Sequence, residues 1–174
     1  MKTIGFLRRT FLGLGAALAL SCASASAQQA LPAPAQATIL EISGRIAVTN
    51  GDARARFDLA MLESLGVARV RTSTAWTNGP QDFEGVNLKT LLERVGAFGQ
   101  TVEAIALNDY KVDIPAADFA RWPVLLAYRM NGELMRVRDK GPLWIVYPQD
   151  QFPELRGKEH HSKWVWQIKE LKVK

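Results

Sequence analysis

The chain has one cysteine in 174 residues, and it stands at position 22. No intrachain disulfide can form, and chemistry that needs a pair of thiolates is excluded. Histidine is nearly as scarce: His160 and His161 are the only two, and neighbours on an extended chain point to opposite sides. A tetrahedral metal site would need carboxylates such as Glu154 or Glu159 from the same segment; one histidine lining a pocket is the simpler use. No apolar run is long enough to span a bilayer, no block of like charge occurs and no internal repeat is visible. Excess charge is also small. The formal net charge is +5, but Lys2, Arg8 and Arg9 fall in the first 27 residues, where there is no acid. Without them it is about +2, too little for a strongly basic nucleic-acid binder.

Residues 1–27 have the pattern of an export signal: a basic start, an apolar stretch from Phe11 to Leu20 and Ala25-Ser26-Ala27 before Gln28. Arg8-Arg9-Thr10-Phe11-Leu12 approaches a twin-arginine motif, with Leu7 where Ser or Thr is usual, so the Sec and twin-arginine routes both stay open. Ala19-Leu20-Ser21-Cys22 is a poor lipobox. The expected location is the periplasm or outside the cell, with no direct membrane insertion. Residues 28–38, rich in Pro, Ala and Gln, read as a flexible leader, and 39–174 as one domain with one core.

Within that domain, Ile39, Leu40, Ile42 and Ile46 around Ser43-Gly44 predict a first strand pair. Phe57-Asp58 staples and caps a short helix that Gly66 closes, and Val67–Thr74 reads as a strand. Leu88, Leu91, Leu92 and Val95 recur at helical spacing and predict a helix over 87–95. Val102–Leu107 turns back through Asn108–Lys111 to Val112 and Ile114. Asp118 lies in a short helix or turn ending before Trp122-Pro123. Leu125–Met130 and Glu133–Val137 flank Asn131-Gly132, a strong hairpin signal. The apolar run Leu143–Tyr147 suits the middle of a sheet, Gln149–Ser162 reads as a polar loop, and the last strand needs a bulge near Lys169 because Trp164, Trp166 and Ile168 differ in parity from Leu171 and Val173. Strands and short helices without regular alternation give an α+β fold.

Residues 71–92, RTSTAWTNGPQDFEGVNLKTLL, organise the rest: a strand, an aromatic at Trp76, a polar turn over Thr77–Pro80 and a capped helix. Pinned polar turns of this kind hold ligands. This stretch resembles the molybdopterin-binding domain of the sulfite oxidase family, and the ALNDY turn, the LLAYRMNGELM hairpin, the GPLWIVYP strand and the closing SKWVWQIKEL extend the resemblance over roughly 39–173. It implies a sulfite oxidase-like mixed sheet with short helices. In that family a cysteine four residues before the tryptophan ligates molybdenum; the matching position here is Thr72, a hard neutral oxygen in place of a soft thiolate. The departure argues against the family's redox catalysis and less against binding the pterin.

The resemblance implies that Trp76, the Asn108-Asp109-Tyr110 turn, Tyr147 and Lys163-Trp164-Val165-Trp166 lie around the cofactor cleft. Asp109 could accept paired hydrogen bonds from an aminopyrimidinone edge, Trp76 or Trp164 could stack on the ring, and Lys163 or His161 could meet a phosphate or polar tail. Each has a plainer use: Trp164 and Trp166 as core, Asn108-Asp109 as turn chemistry, Thr72 and Thr74 as β-branched strand residues, Arg136, Arg138 and Lys140 as a solvated edge, with a docking surface as their sharper use. Small exported members without the cysteine imply a non-catalytic, molybdenum-free pterin sensor whose partner is the periplasmic domain of a membrane-bound cyclic di-GMP enzyme. The alternatives are a molybdenum-cofactor oxidoreductase, or a subunit of one, and an assembly factor with an empty cleft.

Overall fold

A computed structural model describes residues 30–174; the expected signal peptide, the twin-arginine-like pair and Cys22 lie outside the described residues. Two five-stranded sheets enclose one core. In the first, β2 (Ala55–Phe57), β1 (Leu40–Gly44), β10 (Ile168–Val173), β5 (Thr101–Ala106) and β6 (Lys111–Pro115) lie in that order. Only β1 and β10 are parallel, which brings the two ends of the domain side by side. In the second, β3 (Ala68–Thr72), β4 (Gln81–Asn87) and β7 (Leu125–Met130) run in order, and the far edge of β7 is shared by β8 (Glu133–Leu134) and β9 (Trp144–Val146). The result is an α+β mixed-sheet domain.

Local chemistry places the helices where spacing predicts them. Asp58 caps α1 (Leu59–Ser64), its side chain accepting from the Met61 amide. Asn87 caps α2 (Leu88–Arg94) in the same way through Lys89, and the stripe Leu88, Leu91, Leu92 and Val95 is buried. Asn131 and Gly132 both have positive φ, as a tight two-residue hairpin turn requires. The bulge near Lys169 is present as a register shift between Ile168 and Glu170.

Several expectations are corrected by long-range pairing. The polar turn after Trp76 leads into β4, which pairs with β3 from Thr72–Gln81 to Ala68–Gly85, and the helix starts only at Leu88. Helical periodicity in 88–95 says nothing about the seven residues before it. β1 is a single strand whose partners are β2 and β10; Ile46 lies beyond it. Most of residues 30–38 are exposed, but the segment is tied down at a few points: Leu31 is buried, Asp58 accepts from the Ala35 and Gln36 amides, and Asn50 donates to the Pro32 carbonyl. A few backbone hydrogen bonds and one leucine attach this mostly exposed segment to the domain.

β9 is not central. It pairs with β7 alone and is buried because residues 165–168 cover its other side: Ile145 donates to the Val165 carbonyl, Ile168 donates to that of Leu143, and Trp144 bridges Trp166. β8 stops at Leu134, and 137–139 form a 3-10 turn. After α3 (Ala116–Arg121), the segment 149–162 is not a plain loop either; it contains a 3-10 turn over Pro153–Arg156 and a short helix, α4 (Lys158–His161). Trp164 and Trp166 precede β10 instead of sharing one of its faces.

Candidate functional site

Four separate pieces of chain meet over the top of β9. The turn between β3 and β4 delivers Trp76, the β5–β6 turn delivers Asn108 and Tyr110, the end of α4 delivers His161 and Ser162, and the stretch before β10 delivers Trp164, Val165 and Trp166. With Ala106 they enclose an open cavity of about 370 Å³. Trp76 is its centre: its ring centroid lies 5.4 Å from Trp166, 6.0 Å from Trp164 and His161, and 6.5 Å from the buried Trp144. The angles are edge-on or tilted, the arrangement that ring quadrupoles favour. The cavity is lined by no carboxylate, lysine or arginine.

The turn carrying Trp76 is fixed by its own hydroxyls and by the 149–162 segment. The Thr74 hydroxyl accepts from the Trp76 amide at 3.0 Å and bonds the Thr77 hydroxyl at 2.8 Å. Ser73 donates to Asp150 twice, from its amide and its hydroxyl, both at 2.6 Å, and Gln149 donates to the Ser73 carbonyl at 2.8 Å. These Ser73 hydrogen bonds hold the Asp150 carboxyl below the usual range, with Arg156 adding a smaller effect. Two walls of the cavity are therefore latched together at one carboxylate.

Of the residues singled out in the sequence, six line the cavity: Trp76, Asn108, Tyr110, His161, Trp164 and Trp166. Four do not. Thr72 is fully buried, its hydroxyl donating to the Ser73 carbonyl and accepting from the Asp150 amide, each at 3.3 Å. Asp109 is turned outward to an ion pair with Lys169 at 2.7 Å, and that bond lowers its pKa; it offers nothing to a ring edge in the cavity. Asn108 accepts from the Tyr110 amide, an Asx turn that orders this corner.

Tyr147 and Lys163 belong to a buried knot. Both donate to the same Asp118 oxygen, Tyr147 at 3.0 Å and Lys163 at 2.7 Å. Burial first, and then the neighbouring carboxylate, push the Tyr147 phenol far above its ordinary pKa. Lys163 therefore ties the chain between Ser162 and Trp164 to α3 and does not line the cavity. The two histidines diverge: His161 faces the cavity, while His160 packs on Trp122 and Tyr147. Ala106, Ser162 and Val165 escaped the sequence reading because small or ordinary residues carry no signal until the fold encloses a space with them.

The fully buried and hydrogen-bonded Thr72 presents no open coordination position, and the described residues contain no cysteine and no group of three or more His, Asp or Glu side chains able to hold a metal. The donor set does not fit protein-ligated molybdenum. It does fit a planar ring: three indoles, an imidazole and a phenol supply faces and edges, while Asn108 and Ser162 supply polar groups. Trp164, one of the lining residues, also has a buried Nε1 with no acceptor among the described residues.

Comparison with known proteins bears on the fold and the family. No curated protein matches. The crystal structure of the sulfane dehydrogenase SoxCD from Paracoccus pantotrophus is similar with a TM-score of 0.56 and 19% identity, over 77% of this chain and 37% of that one. This chain therefore spans well under half of the protein it resembles, and at that identity the likeness concerns the fold alone. Residues 52–172, from the turn before β2 into β10, match the family described as oxidoreductase molybdopterin binding domain. With the two-sheet architecture and the ring-lined cavity over β9, that match places the chain in the molybdopterin-binding, sulfite oxidase-like family.

Proposed function

We propose that this chain is a periplasmic pterin-binding protein that does not catalyse, and that it acts as a ligand sensor for a membrane signalling partner. The observation that carries this reading is the pairing of a ring-lined cavity with a buried Thr72 that is already hydrogen-bonded. Trp76, Trp164 and Trp166 stack on or edge the ring, and His161, Ser162 and Asn108 bond its polar rim. The export pattern in residues 1–27 supports the location. The partner class, the outer domain of a membrane enzyme that handles cyclic di-GMP, rests on the resemblance to small exported members without the cysteine.

Signalling requires a surface that differs between free and bound states. The Ser73–Asp150 latch supports such a response, because it joins the Trp76 turn to the segment that carries His161. A ligand that orders one wall orders the other, and the outer face of both is what a partner reads.

The test is to purify the mature protein after native export, release any small molecule, and measure pterin fluorescence, pterin mass and molybdenum on the same sample. Pterin without metal is the expected result. Stoichiometric molybdenum would overturn the non-catalytic reading in favour of an oxidoreductase that holds its metal through the pterin dithiolene alone. If neither is present, titration of the tryptophan fluorescence with pterin decides, and no response leaves an assembly factor.

A further inference from the structure

We infer that Lys140 sets the charge preference of the cavity, so that the site takes a planar ring carrying an anionic substituent and disfavours organic cations. This deepens the pterin-binding proposal and rests on it. Aromatic walls alone do not make the choice, because rings grouped as Trp76, Trp164, Trp166 and Tyr110 are grouped here also form the cages that hold quaternary ammonium ions. With no carboxylate, lysine or arginine lining the cavity, the decision falls to charges just outside its walls.

The charge there is positive. The Lys140 ammonium lies 4.8 Å from the centroid of Trp166 and 5.7 Å from that of Trp144, and it has no carboxylate partner among the described residues. Lys140 does not line the cavity, but its ammonium lies over the ring of Trp166, which does. Neighbouring charges do not cancel it: Lys169 is paired with Asp109, Lys163 with Asp118, and Arg136 and Arg138 share Asp139. The placement is built into the backbone. Lys140 adopts a left-handed φ of 72°, its carbonyl accepts from the Gln167 amide at 3.1 Å, and the Gln167 side chain donates to the Val137 carbonyl at 2.6 Å. Those bonds anchor 137–140 to the residue that follows Trp166.

A cation already on one face of an indole repels a second cation beyond the other face and attracts an anion there. With the ammonium across the indole from the ligand, a ring stacked about 3.5 Å from Trp166 would lie roughly 8 Å from it. For one unit of charge at that distance, with an effective dielectric between about 20 and 80, the preference is roughly two- to thirty-fold in affinity.

The experiment titrates the mature protein with 6-carboxypterin and with neutral 6-hydroxymethylpterin, reading tryptophan quenching at low and at moderate salt. The readout is the ratio of the two Kd values, which a general loosening of the site changes little. Wild type should favour the carboxylate, by a margin that shrinks with salt. K140Q should bring the ratio close to one, and K140R should keep it. An unchanged ratio in K140Q, or equal wild-type affinities, would overturn the inference while leaving pterin binding intact. If wild type responds to neither compound, the proposed function itself fails and the inference with it.

Discussion

Replacing Lys163 with methionine tests whether the wall of the cavity is anchored as the structure shows. Lys163 and Asp118 keep only 17% and 10% of their side-chain surface exposed, and Asp118 also accepts from Tyr147. Removing one partner of a buried pair strands the other charge, which costs about 3–5 kcal/mol. The residual exposure argues for the low end, so Lys163→Met should lower stability by about 3 kcal/mol. Asp118→Asn should rescue it, since an amide still accepts from Tyr147 and carries no charge to strand. The double variant should then be less destabilised than the two single losses added together, with a coupling of at least about 1 kcal/mol. Urea unfolding at neutral pH, followed by far-UV circular dichroism and with m-values compared, measures all three. A loss below about 1 kcal/mol for Lys163→Met, with no rescue, would mean that its ammonium is solvated or faces the cavity, and the anchoring role would be wrong.

Trp76→Ala removes a half-buried ring with four aromatic neighbours. It should cost about 2 kcal/mol, below the 3–5 of a fully buried tryptophan, and should weaken pterin binding at least tenfold; undiminished binding in the folded variant would remove Trp76 from the site. The Ser73–Asp150 latch makes acid sensitivity predictable. Because the folded pKa of Asp150 is depressed, its contribution is fully present above the ordinary carboxylate range and is lost as pH falls through the folded value. Asp150→Asn should therefore cost about 1 kcal/mol at neutral pH, discounted for partial exposure, and lose less stability than wild type between neutral and acid pH; parallel urea midpoints for the two proteins would refute the latch.

What the sequence determined by itself is local. Asp58 as a helix cap, the Leu88–Val95 stripe, the Asn131-Gly132 turn and the bulge by Lys169 follow from side-chain spacing and backbone preference, which neighbours in the chain specify. The resemblance added the family and the regions around the cleft. Tertiary structure decided which members of those regions face it. Thr72, Asp109, Tyr147 and Lys163 were chemically plausible, yet each is held away by a partner distant in sequence: Asp150, Lys169 and, for the last two, Asp118. In the same way, the attachment points of residues 30–38 come from Asp58 and Asn50, distant in the chain, and Lys140 looks like one more surface charge until the chain sets it against Trp166. Spacing determines which way a side chain leaves its own element, but the partner that receives it comes from another part of the chain, and only folding brings the two together.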